Sequence, residues 1–170
     1  MVAVPLPIYP MHEHVVFPHM IFPLFVDASR MAIIEEGIQR EKKVSTDLFH
    51  AAQDCSFADL APIGTLCEIR QTIRIPDGGA KVVVEGAQRF RLLEASQEKP
   101  WILGQVELLE DPPAVGLVSE ALVQSVNALL KIALTYGRPL PADVIKMIDQ
   151  IDAPGRLDDL VTVNLGGEIA

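Results

Sequence analysis

Apolar residues alternate with others from the start of the chain. Val2, Val4, Leu6 and Ile8 keep a period of two, which predicts a β-strand. Val15 to Phe17 and Met20 to Val26 are apolar at successive positions, the pattern of a strand covered on both faces. Pro18 and Pro23 interrupt this stretch. Proline has no ladder donor, so each belongs at an edge, a bend or a bulge. Asp27 or Ser29 then offers an N-cap for a helix whose inner stripe is Met31, Ile34 and Ile38. Glu35, Glu36, Arg40 and Lys42 take its outer face. Cys67, Ile69, Ile73 and Ile75 fall on one face of a further strand, with Glu68, Arg70, Thr72 and Arg74 on the other. Pro76-Asp77-Gly78-Gly79 carries turn chemistry, after which Lys81 to Glu85 returns antiparallel. Arg89 to Glu94 and Ile102 to Leu109 add two strands, and short strands at this spacing point to a small barrel or sandwich.

The pattern changes at Asp111-Pro112-Pro113. Val115, Val118, Leu122, Val126, Leu129, Ala133 and Tyr136 recur at helical spacing and predict one long amphipathic helix. Gly137 and Pro139 end it. A second helix starts near Pro141 with Val144, Ile148 and Ile151 on one face, and Pro154 opens a third carrying Leu157, Leu160 and Val161. The expected fold class is therefore α+β: a β lobe over 1–111 with one short helix, and a helical lobe over 112–170.

Composition narrows the function classes. At 170 residues the chain has room for one domain or two small lobes. Apolar residues make up 49% and aromatics only 5%, so a core of Val, Ile, Leu and Ala is expected rather than a disordered tail. The formal charge of −9 repels phosphate backbones and anionic lipid unless positive charge is locally concentrated. Two cysteines, Cys55 and Cys67, make no disulfide framework and suggest a reducing compartment. With neither a signal-peptide pattern nor an apolar run long enough to span a bilayer, the expected location is the cytoplasm, away from membranes.

Candidate chemistry is sparse. His12, Glu13, His14 and His19, with distant Cys67, lack the spacing of a structural zinc site, and no metal is expected. No serine lies in a GxSxG elbow and no GxxxxGK[ST] segment occurs, so neither a nucleophile nor a phosphate cradle is predicted, and no cofactor is expected. Glu107, Glu110 and Asp111 read as solvated charge at a strand end. Arg89-Phe90-Arg91 could face a nucleic acid, but a strand with Phe90 inward and both arginines outward accounts for it, and the net charge favours that account. What remains is an interaction surface. Met11, Met20, Met31 and Met147 are adaptable side chains of the kind used at promiscuous contacts, although most belong in a core.

Four segments in order carry a family resemblance. FPHMIFPLFV runs from Phe17 to Val26, a helix begins near Arg30, PDGGAKVVVEGAQRFR runs from Pro76 to Arg91, and IDAPGRLDDL runs from Ile151 to Leu160. Together they resemble the N-terminal domain of Lon, the ATP-dependent protease, over roughly Pro7 to Leu165. The resemblance implies a PUA-like β lobe followed by a helical lobe. It also implies a noncatalytic role in holding unfolded or damaged proteins and in assembling a homohexameric ring. ATP, Mg and a Ser-Lys dyad would then belong only to modules downstream. A stand-alone regulatory protein with a Lon domain is the alternative, and a PUA-like RNA-binding module a further one. Pro10-Met11-His12-Glu13 stands where Lon sequences commonly carry PLRD. Ser45-Thr46-Asp47 interrupts what the family would make a hydrophobic strand, expected here at a sheet edge. Because a recruiter must touch what folded proteins hide, the FPHM loop, through Phe17 and Met20, is the expected protein contact.

Overall fold

The structure, a computed structural model, describes residues 3–12, 14–41, 43–48, 55–110, 117–136 and 154–165. Its contacts divide the chain into two compact units, 1–110 and 111–170.

The first unit is one mixed sheet. It comprises β1 (Ala3–Met11), β2 (Ile21–Val26), β3 (Lys43–Leu48), β4 (Ile63–Arg74), β5 (Ala80–Gln97) and β6 (Leu103–Leu108), with a helix α1 (Met31–Gln39) between β2 and β3. Strand order is β2-β5-β4-β3-β1-β6, and a further β5–β6 pairing closes the last five into a ring. Among the described residues only β1 and β3 run parallel, and the other pairings are antiparallel. The eighteen residues of β5 make this possible, because its first half pairs with β2 and its second half with β6.

Two apolar clusters fill the unit. Leu6, Leu66, Phe90 and Val106 form one, and the larger gathers residues of β1, β2, β4 and β5 beneath α1. Helix α1 follows a short 3-10 turn, Ala28–Arg30, capped by Asp27, whose carboxylate accepts the Arg30 backbone N–H at 3.0 Å. The predicted helix is present, but its buried face is Met31, Ile33 and Ile34, and Ile38 is exposed. The helix ends one residue later, so Ile38 lies in its final turn.

Strand β4 corrects a second expectation. Cys67 and Ile69 are buried while Ile73 and Ile75 are exposed. Between Ile69 and Gln71 the register against β5 shifts by an extra residue, and such a bulge exchanges the faces of everything beyond it. At the hairpin tip the Ile75 N–H donates to the Gly79 carbonyl at 3.0 Å, and Gly78 takes a φ of +89° that suits glycine.

A third correction concerns β3, which lies between β1 and β4 rather than at an edge. Its polar residues are accommodated differently. Thr46 donates to the Thr65 carbonyl at 3.3 Å and lies 3.4 Å from the Cys67 sulfur. Ser45, in the row Ile8–Ser45–Leu66, is fully buried, and its hydroxyl has no partner among the described residues. An unsatisfied buried hydroxyl is destabilising, so Ser45→Ala should stabilise the chain by about 1 kcal/mol. Urea denaturation measures this, and a lower midpoint in the variant would contradict it.

The second unit contains α2 (Leu117–Tyr136) and α3 (Pro154–Leu165), with Leu157 of α3 buried. Val115, expected in the long helix, lies outside the described residues, and Pro154 stands at the first position of α3, where its missing N–H is harmless. The helix expected near Pro141 lies outside the described residues.

Candidate functional site

The FPHM segment is a tight turn anchored on β5. The Met20 N–H donates to the Phe17 carbonyl at 3.1 Å across Pro18 and His19. Proline presets the first central residue of such a turn, while His19 has a φ of +64°, the left-handed conformation a type II turn requires next. The turn is stapled to Gly86 from both sides. The His19 N–H donates to the Gly86 carbonyl at 2.7 Å, and the Gly86 N–H donates to the Met20 carbonyl at 2.9 Å. A Cβ at position 86 would sit 2.2 Å from the Phe17 carbonyl oxygen, so only glycine admits this approach.

The turn launches β2, an outermost strand of the sheet. Phe22, Leu24 and Val26 point inward, with Leu24 and Val26 in the larger core and Phe22 packed against it. Ile21, Pro23 and Phe25 point outward, and Ile21 and Phe25 are 65% and 73% exposed. Their register partners on β5 are Glu85, Val83 and Lys81, and Lys81 in turn faces the exposed Ile73 of β4. The Lys81 ammonium rests 5.7 Å from the Phe25 ring centroid. The outer face of β2, β5 and β4 thus groups Ile21, Pro23, Phe25, Val83 and Ile73, with Lys81, Glu85 and Gln71 among them.

Ion pairs border it. Arg70 lies 2.7 Å from the Glu85 carboxylate and 3.2 Å from that of Glu68, and Arg74 lies 2.8 Å from Glu35. The Glu85 carboxylate, by hydrogen bond and charge, pushes the Arg70 guanidinium above its ordinary pKa. These arginines are occupied by neighbouring carboxylates.

Phe17 and Met20, the residues expected from sequence, are both half-buried. Met20 packs on the larger core. Phe17 lines a separate cleft of about 180 Å³ with Met11, His14, Ile63, Gly64 and Arg89. Sequence reasoning missed Ile21 and Phe25 because β2 is apolar at every position. No periodicity marks its outer face.

The remaining candidates do not assemble. His12, His14 and His19 are exposed, whereas Cys67 is wholly buried and its thiol is pushed up to about 12 by desolvation. Among the described residues, no three His, Cys, Asp or Glu side chains are placed to share a metal ion. Nor is any helix there long and apolar enough to cross a membrane. Phe90 is buried, and Arg91 pairs with Glu107 at 3.1 Å.

This fold and sequence have relatives. Residues 5–169 match the family model of the ATP-dependent protease La (LON) substrate-binding domain. A Lon protease of Citrifermentans bemidjiense is 46% identical over 94% of this chain, and that of Escherichia coli K12 is 29% identical over 97%. The chain spans about a fifth of the length of these curated relatives, 20% and 21% respectively. Among solved structures, the N-terminal domain of Mycobacterium avium complex Lon protease superposes with a TM-score of 0.71 at 22% identity, over 92% of this chain and 80% of that one. The Lon N-terminal domain protein of Xanthomonas campestris gives 0.53 at 20% identity, over 98% and 99%. Both likenesses concern the fold. By the match along nearly its whole length, the chain belongs to the family of Lon substrate-binding domains.

Proposed function

We propose that this chain is the noncatalytic recruiting domain of a cytoplasmic, ATP-dependent Lon-type serine protease, and that it recognises and holds unfolded or damaged proteins. It needs no cofactor of its own, ATP and Mg serving the parent enzyme. The β lobe, 1–111, carries the contact, and the helical lobe, 112–170, leads toward the ATPase module and contributes to assembly of a homohexamer. The observation that carries the reading is the apolar outer face of β2, with Ile21 and Phe25 largely in solvent. Monomers rarely leave large apolar side chains grouped on one sheet face without a partner. Phe17 and Met20 extend this contact at the turn, where the anchored backbone holds them in place.

The bordering arginines favour protein over RNA as the occupant. A phosphate backbone would have to displace Glu85, Glu68 and Glu35 from Arg70 and Arg74 before gaining a contact.

Fluorescence anisotropy of a labelled, chemically unfolded protein tests the proposal. Binding at about micromolar affinity or weaker is expected, since several copies on a ring raise the effective concentration. The folded form of the same protein should bind less. The double variant Ile21→Ser/Phe25→Ser should weaken binding about tenfold or more, because each apolar side chain buried is worth roughly 1.5–3 kcal/mol. Both residues are exposed, so the fold should survive. Added salt should change the affinity little, whereas a phosphate-dominated contact weakens steeply. Equal affinity for folded and unfolded forms would end the recruitment reading and leave assembly as the domain's role.

A further inference from the structure

The alternation of hydrogen bonds along β2 determines what its open edge presents. The Gly86 N–H reaches the Met20 carbonyl, so Met20 directs its carbonyl toward β5. Along a strand the polar backbone groups of successive residues point to opposite sides. Phe22, Leu24 and Val26 therefore bond to β5, opposite Val84, Val82 and Ala80. Ile21, Pro23 and Phe25 direct theirs away from β5, and among the described residues β2 pairs with no other strand. The same three residues whose side chains form the apolar surface thus present carbonyls along the edge, with N–H groups only at Ile21 and Phe25.

We propose that this edge pairs with the backbone of an extended segment of the bound polypeptide, adding a strand beside β2. The inference rests on the recruiting role and specifies the form in which the substrate is read. An edge of unpaired donors and acceptors is a template for another strand, and strand addition is an established mode of peptide recognition. Main-chain pairing is indifferent to sequence, while Ile21 and Phe25 favour apolar side chains at alternate positions of the guest. A domain that must accept many unfolded chains needs this combination. Pro23 sets the limit. Its missing N–H faces the edge, so the ladder is interrupted at its centre and the guest is held weakly enough to be passed on.

Pro23 also argues against a second copy of this chain as the occupant. Two β2 strands paired to each other would place a proline inside both halves of the shared ladder, losing a donor on each side. A guest without proline loses only one.

The test uses the whole chain and synthetic peptides of about nine residues, within the usual strand length, alternating valine and threonine. One version is N-methylated on every valine and another on every threonine, since only one of these sets of N–H groups can face β2. The expected result is a loss of affinity of about tenfold or more in one methylated peptide and near-unmodified binding in the other. An equal effect in the two, whether both bind or neither does, overturns strand addition and leaves the recruiting role standing. Failure of the unmodified peptide to bind would count against the recruiting role itself. Pro23→Val supplies the missing donor and should bind the unmodified peptide about three- to tenfold more tightly, the worth of one added hydrogen bond. Unchanged or weaker binding by this variant speaks against the ladder. Sedimentation of the unliganded wild-type chain completes the test: a dimer that the peptide dissociates would mean that a second copy occupies the edge, and a species unaffected by the peptide agrees with the proposal.

Discussion

Phe90→Ala should destabilise the β unit by about 3–5 kcal/mol, the usual range for removing a wholly buried aromatic ring. Among the described residues Phe90 is the largest side chain with no solvent exposure, and it sits with Leu6, Leu66 and Val106 in the smaller core. Its ring fills the space left by Gly64 on the neighbouring strand, where a Cβ would approach ring carbon Cζ to 2.4 Å. The strands on either side are fixed by ladders, Phe90 opposing Gly64 on β4 and Leu108 on β6, so the surroundings cannot close over the hole. A domain whose whole stability is about 5–15 kcal/mol would be left close to unfolding. Phe90→Leu, which keeps most of the volume, should lose much less. Guanidinium denaturation followed by circular dichroism measures both, and a loss below about 1 kcal/mol for the alanine variant would show that the smaller core can collapse.

Phe90 also illustrates what the sequence makes legible. An apolar residue between two arginines in a strand has only one sensible direction, and the structure buries it. The sequence also indicated the PDGG hairpin, the long helix before Tyr136 and the helix opening at Pro154, because turn chemistry and helical period are local signals. The face of Ile73 was not legible. One inserted residue near Arg70 reverses the alternation, and bulges leave no mark in an otherwise regular pattern. The central place of β3 was hidden for a different reason. Ser45 and Thr46 look like edge residues, yet one is buried without a partner among the described residues and the other is satisfied by the Thr65 carbonyl and Cys67. At the candidate site, the prolines read as edge, bend or bulge, and Pro18 lies in a turn and Pro23 on an edge strand. The strand covered on both faces is not found: Val15 to Phe17 form no strand, and Ile21, Pro23 and Phe25 of β2 face solvent. Which of the consecutive apolar residues in β2 face water depends on what lies beneath, and that is decided by Val82 and Val84 across the ladder.

The junction of turn and strand carries the second large effect. Gly86→Ala should destabilise the chain by about 1–3 kcal/mol and weaken the binding of unfolded protein at the same time. The added Cβ would meet the Phe17 carbonyl oxygen at 2.2 Å and its carbon at 2.9 Å. Both are backbone atoms, so no side-chain rotation relieves the clash and the turn itself must move. Moving it breaks the His19 N–H to Gly86 carbonyl bond and the Gly86 N–H to Met20 carbonyl bond, which hold the turn against β5. Met20 and Phe17 then lose their placement, and Ile21 begins β2 from a displaced start. The two readouts separate this change from a general loss of fold. Amide exchange should accelerate most at His19 and position 86, while the ladder between β1 and β3, across the ring from β5, keeps its protection. Binding should fall more than in a variant destabilised equally at Phe90, because only the glycine variant disturbs the β2 surface directly. Unchanged exchange at His19, together with binding equal to wild type, would show that the turn tolerates the methyl group and that its anchoring does not position the recruiting surface.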